Sequence, residues 1–247
     1  MSPKIQSPIE IQSPIEIQIY SAPSIGQEPF WPQLLEMING AYEATRENWP
    51  LPKNFYRLPP DPAEGAEHVV KIFGQSGFVA VVFITDSDSK QQPVACVGAM
   101  PFEEAKFRKM LADVRAMSKP PILADVAPPE GVDIKENTTK NSGSPTSHGD
   151  AWDYNMVMTH RGYRGKGLSS ALLKATEDEV RRRRTSPKNI RLVAGTIDEI
   201  SGGFWRSRGF EAIEDGELWL PAGFTHLNGR NGLLRKLMLW YGEKYID

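Results

Sequence analysis

The chain has 247 residues, of which 40% are hydrophobic and 24% charged, with a formal net charge of -2. That balance excludes a global basic field for nucleic acid and an acidic tail for a basic partner. A single cysteine, Cys96, excludes an intrachain disulfide and points to a reducing compartment. No apolar run approaches the roughly 20 residues needed to cross a bilayer, and the start lacks a charged-then-apolar signal pattern. The expectation is a soluble cytoplasmic protein, with the nucleus left open, a monomer or homodimer, and neither membrane nor nucleic acid as partner.

Residues 1–14 open on a duplicated hexapeptide, IQSPIE at 5–10 and again at 11–16. Two copies are too few for a solenoid, so this segment reads as a flexible terminus. Ile15 to Tyr20 alternates apolar and polar and predicts a strand. Phe30 to Thr45 predicts a helix, with Trp31, Leu34, Leu35, Ile38 and Tyr42 on one face and Pro32 in the first turn. Trp49 to Pro62 is rich in proline and aromatics and reads as a loop. Ala63 to Phe73 predicts a second helix. Phe78 to Thr85 and Pro93 to Met100 predict an antiparallel hairpin around the turn residues 86–89.

Glu103 to Met117 is helical in pattern, whereas residues 127–149 are dominated by Pro, Gly, Ser, Thr and charge and read as a mobile segment. Strand 151–159 and helix 168–184 follow. Asn189 to Gly195 predicts a strand, and Glu199 to Arg208 a short helix stopped by Gly209. Phe210 to Leu220 begins as a strand with a turn expected at Asp215-Gly216. The tail fits helix or strand, with strand favoured. The order predicts an α/β (α+β) mixed sheet with helices on both faces. It forms one domain over 15–247 that carries a polar insertion at about 103–150.

The most informative run is Tyr163-Arg164-Gly165-Lys166-Gly167-Leu168-Ser169-Ser170, between an apolar strand and an amphipathic helix. Free backbone N–H groups and the positive end of the helix dipole converge at such a junction and make an anion site. Glycine lets the backbone approach a phosphate closely. Other clusters point elsewhere. Glu177, Asp178 and Glu179 precede Arg181, Arg182 and Arg183 by four, which predicts a self-paired helix end rather than a nucleic-acid surface. The four histidines (68, 148, 160 and 226) show no metal-ligand spacing, so no metal is expected. Cys96 lies in an apolar strand and is expected to be a buried packing residue.

These residues resemble the GNAT superfamily of N-acetyltransferases. Its pyrophosphate signature is Gln/Arg-x-x-Gly-x-Gly/Ala; here Arg164 and Gly167 match, and Ser169 stands where Gly or Ala is usual. A downstream feature, Leu192 to Thr196 followed by Asp198, Ser201 and Phe204-Trp205-Arg206-Ser207-Arg208-Gly209-Phe210, is similar to the family's second motif. The resemblance implies a GNAT-like acyl-CoA N-acyltransferase fold with acetyl-CoA as co-substrate and no metal. It also implies that pantetheine lies along Val157, Met158 and Thr159 and that the pyrophosphate lies on Arg164, Gly165, Lys166, Gly167, Leu168, Ser169 and Ser170. Asp198 and Trp205 are implied as further cofactor contacts, and Trp49, Phe55 and Tyr56, in the loop after the first long helix, as candidates to wall an acceptor pocket.

The implied reaction is direct transfer of acetyl to a primary amine, which needs a base for the amine, a stabilised oxyanion and a thiolate leaving group. The family's strand carboxylate falls near Asn155, which cannot act as a base. Asp153 precedes it by two and, with strict alternation, shares a face with Asn155, Val157 and Thr159. Trp205 stands where the family commonly has a tyrosine acid, leaving Tyr154, Tyr163 or water for that role, or a step that needs no acid. His160 reads as a structural loop residue. A small-molecule amine is the expected acceptor. Two alternatives stay open: a non-catalytic acyl-CoA-binding regulatory protein, and an acetyltransferase acting on protein lysines or N-termini.

Overall fold

The structure, a computed structural model, describes residues 15–46, 56–85, 90–118, 150–220 and 236–247. The hexapeptide duplication apart from its last two residues, Trp49, Phe55, His148, His226, the hairpin tip at 86–89 and the 127–149 segment lie outside the described residues. The elements are β1 (Glu16–Ser21), α1 (Ala22–Ile25), α2 (Trp31–Arg46), α3 (Pro62–Phe73), β2 (Phe78–Thr85), β3 (Gln91–Pro101) and α4 (Glu104–Ser118), followed by β4 (Ala151–Thr159), α5 (Leu168–Arg183), β5 (Ile190–Ile197), α6 (Gly203–Arg206), β6 (Glu211–Leu220) and β7 (Leu237–Ile246). The short α1 and a 3-10 turn at Arg161–Tyr163 are helical pieces that the sequence pattern did not suggest.

Seven strands form one sheet in the order β1-β2-β3-β4-β5-β7-β6, and only β4 and β5 run parallel. The ambiguous tail is a strand because it pairs on both edges, with β5 and with β6. β6 does not turn back at Asp215. It continues past a register shift between Ala212 and Glu217, with Asp215 at φ 63°, so a bulge replaces the expected hairpin turn.

Helices cover both faces. α5 packs on β2, β3 and β4 through Leu168, Leu172, Leu173 and Val180. The opposite face carries α1, α2 and α3, where Trp31, Leu34, Leu35 and Ile38 realise the i, i+3, i+4 stripe. Each such side chain, taken from exposed to fully buried, contributes roughly 1.5–3 kcal/mol. Trp31 Nε1 donates to Pro62 O at 2.8 Å, fastening α2 to the start of α3. Asp61 caps α3 by accepting from the N–H groups of Ala63 and Glu64.

α4, within the insertion, has an apolar stripe of its own. Phe107, Leu111 and Val114 pack on Val193, Ile213, Leu218 and Leu220. Arg191 of β5 is buried and bridges Glu104 of α4 and Glu243 of β7, each at 2.5 Å. Helix α4 therefore lies on the same face as α2, over the other half of the sheet. The floor between α2 and α4 is β4. Among the described residues no helix is long and apolar enough to cross a membrane.

Candidate functional site

The parallel pair at the centre of the sheet is short. β4 and β5 are in register from Ala151/Arg191 to Tyr154/Ala194 only. Both strands continue, β4 to Thr159 and β5 to Ile197, while β5 stays paired with β7 to its end. Past Tyr154 the β5-facing edge of β4 therefore has no ladder partner among the described residues, and a wedge opens between the two strands. Free strand-edge N–H and C=O groups of this kind bind an extended amide-bearing chain by mimicking a missing strand.

A bulge shapes the wedge. Between Gly98/Asn155 and Cys96/Met158, β4 uses one residue more than β3. Met156, buried at 4% exposure, takes φ 51°, a strained value for a long side chain. The extra residue reverses the alternation. Trp152, Tyr154 and Val157 pack with the α5-side core, and Thr159 Oγ1 lies 3.1 Å from Ser169 Oγ on α5. Met156 and Met158 pack on the α2 side, and Asn155 meets Arg57 there. The expectation that Asp153, Asn155, Val157 and Thr159 share one face is corrected: Asp153 and Asn155 face α2 and α4, whereas Val157 and Thr159 face α5.

The glycine run sits at the far end of the wedge. Gly165 and Gly167 take φ 76° and 78°, the left-handed region that glycine enters without cost, and a side chain added at either would meet nothing within 4 Å. The first intrahelical bond of α5 is Ala171 N–H to Gly167 O at 3.1 Å. The N–H groups of Gly167 to Ser170 thus have no acceptor within the helix. Arg164 does not aim its guanidinium into this turn. It donates to Thr159 O at 3.3 Å and to Ala41 O at 3.0 Å, tying the turn to β4 and α2. Lys166 lies 5.7 Å over the Tyr163 ring. His160 Nδ1 accepts from Gly162 N–H at 3.3 Å, a turn-capping role. Leu168 is buried, and Ser170 Oγ accepts from Arg208 Nη2 at 2.9 Å.

Tyr154 and Trp205 are placed differently from a leaving-group acid and a cleft contact. Their rings stack 5.8 Å apart in the α5-side core, at 3% and 4% exposure. Tyr154 Oη is buried without a hydrogen-bond partner, and burial pushes its pKa well above the ordinary value, with Glu177 adding to the rise. It lies on the face opposite Asp153. Asp198 Oδ1 sits 2.7 Å from Arg206 Nη1, in an ion pair. The basic helix end is self-paired as expected, with Glu179 between Arg182 and Arg183 and Arg181 on Asp178. Cys96 is fully buried, and burial pushes its thiol up to about 12, which removes it as a nucleophile.

The chemistry-bearing group on the cleft floor is Asp153. It keeps some solvent exposure while protein crowds it on all sides. Burial pushes its carboxyl up to about 7, against the opposing pull of the Arg57 guanidinium. Arg57 is a residue that pattern reasoning missed. The Asn39 side chain of α2 accepts from the N–H groups of Arg57 and Leu58 at 3.1 and 3.0 Å and donates to Leu58 O at 3.1 Å. So clamped, the loop sends Arg57 Nη2 to Asn155 Oδ1. Asn155 is therefore a seat for Arg57. The one signal in the sequence was an arginine inside an aromatic and proline-rich loop already suspected of walling a pocket. Among the described residues no group of three or more His, Cys, Asp or Glu is placed to hold a metal.

An N-acetyltransferase from Staphylococcus aureus Mu50 superposes with a TM-score of 0.51 at 12% identity, covering 95% of this chain and 100% of that one. The chain has the GNAT fold. Two further solved structures resemble it at TM-score 0.49. An acetyltransferase of the GNAT family from Staphylococcus aureus Mu50 has 13% identity and covers 95% of this chain and 100% of its own. NAA60 of Arabidopsis thaliana in complex with acetyl-CoA has 12% identity and covers 94% and 99%. No family model and no curated protein matches the sequence. Within the GNAT fold β4 parts from β5 past Tyr154 and then leads into the 163–170 turn, with Asp153 and Arg57 on the α2 side of the sheet.

Proposed function

We propose that this chain is an acetyl-CoA-dependent N-acetyltransferase that acts on the primary amine of a small molecule by direct attack in a ternary complex. The observation that carries the reading is the wedge between β4 and β5, which leads from free N–H groups at Gly167–Ser170 to a crowded carboxylate at Asp153. The turn and the α5 dipole hold the pyrophosphate without needing a lysine. The free edge of Val157 to Thr159 takes the pantetheine amides as a strand would. Asp153 takes the proton from the amine as nitrogen attacks the thioester carbonyl. A base titrating near 7 is better matched to this task than an ordinary carboxylate. As the new C–N bond forms, the C–S bond breaks. The leaving thiol, with an acidity near that of cysteine at about 8.5, departs as thiolate and takes its proton from solvent. No part falls to Tyr154 or Trp205, whose side chains are buried on the other face.

The test is a thermal melt with and without acetyl-CoA, coupled to thiol release over a panel of amines. Binding stabilises the fold by about 2.7 kcal/mol at a hundred-fold excess over Kd. Absence of any shift at millimolar acetyl-CoA defeats the reading. A shift without thiol release on any amine favours the non-catalytic regulatory alternative.

A further inference from the structure

We propose that the acceptor carries a carboxylate next to its amine, as a free α-amino acid does, with the carboxylate on Arg57 and the nitrogen over Asp153. This rests on the acetyl-transfer reading above and narrows its acceptor. Arg57 lacks a carboxylate partner among the described residues. Its side chain crosses from the 56–60 loop to β4 and donates through Nη2 to Asn155 Oδ1, a neutral acceptor. Among the described residues no carboxylate lies within ion-pair distance of Arg57, Asp153 included. A guanidinium stays charged in a protein. Removing one from water with no counter-charge in contact is costly, the longer-range attraction to Asp153 offsetting only part of it, and ligand sites are where such a cost is offset by a charge that arrives with the ligand.

Asp153 mirrors this state, having no hydrogen bond or ion pair among the described residues. Asp153 and Asn155 project on one face, two residues or about 7 Å apart along the strand. The floor thus presents a negative group and a seated positive group side by side, neither neutralised by direct contact. A zwitterion with one carbon between its charges complements that pair in sign. A planar carboxylate also matches the guanidinium fork in two parallel bonds. An acceptor with an ammonium and no anion would meet Arg57 as a like charge in a poorly screened cleft. The Asn39 clamp on the loop backbone fixes the guanidinium before the ligand arrives, so little ordering is left to binding.

The experiment measures binding calorimetrically, with CoA present, for matched triplets: an α-amino acid, its carboxamide and its decarboxylated amine. Expected is a preference for the acid of about ten-fold or more, the value of one charge-assisted hydrogen bond. R57Q should abolish the preference, and R57K should retain part of it. CoA affinity and melting temperature serve as the folding control for both variants. Equal binding of acid, amide and amine to the wild-type protein overturns the proposal, as does a preference that survives in folded R57Q. Acetyl transfer is scored separately on the same triplets. Transfer without carboxylate preference defeats this inference alone, and binding preference without transfer defeats only the underlying catalytic reading.

Discussion

Replacing Asp153 by asparagine separates function from stability, because the same burial serves one and opposes the other. The folded carboxyl titrates near 7 against an ordinary value of 3.8. Between those limits the folded state holds a proton that the unfolded chain has released. Stability therefore falls as pH rises from about 4 to about 7 and is flat above. Three pKa units at 1.36 kcal/mol each give a ceiling of about 4 kcal/mol, already net of the attraction to Arg57, and solvent reaching the cleft lowers it. D153N keeps the shape and removes the charge. Its melting temperature should match the wild type near pH 4 and exceed it increasingly up to pH 7. In the same variant kcat/KM for acetyl transfer should drop about 10²- to 10⁴-fold, the usual worth of a general base. Wild-type kcat/KM should rise with pH and level off above about 7. Melts and thiol-release rates from pH 4.5 to 9 read all three. A stability difference that does not change with pH, or a D153N variant that retains full activity, would refute the reasoning.

Two further substitutions probe the rest of the cleft. Y154F removes a buried hydroxyl that has no partner, so denaturant melts should show a gain of about 1 kcal/mol with kcat unchanged; a ten-fold fall in kcat would return Tyr154 to the reaction. G167A forces a side chain into φ 78° where nothing obstructs it sterically. It should cost about 1–2 kcal/mol of strain and weaken acetyl-CoA binding about ten-fold while leaving acceptor KM unchanged; wild-type affinity in calorimetry would show that the turn does not aim its N–H groups at the ligand.

The glycine turn ahead of α5 was legible in the sequence because its determinants are local. Glycines at 165 and 167 and a helix start at Leu168 lie within a few residues, and the N–H groups they free need no distant partner. The strands and helices were legible for the same reason, from period-2 and period-3.6 patterns of burial. The face of β4 was not. One extra residue at Met156 inverts every side chain beyond it, and the alternation in the sequence carries no mark of that insertion. The turn expected at Asp215-Gly216 failed likewise, since a bulge and a reversal use the same residue types until β7 supplies a partner on one side.

The sequence by itself determined the order of the main elements, the mixed sheet and the glycine turn between β4 and α5, all set by short-range sterics and burial periodicity. Only the tertiary structure decided what occupies the reacting end. Arg57 and Asn155 are 98 positions apart in the chain and meet through a loop clamped by Asn39. The Asp153 carboxyl is pushed up to about 7 only because the folded protein around β4 crowds it out of water. A pKa shift is a property of the whole enclosure, and no run of neighbouring residues encodes it.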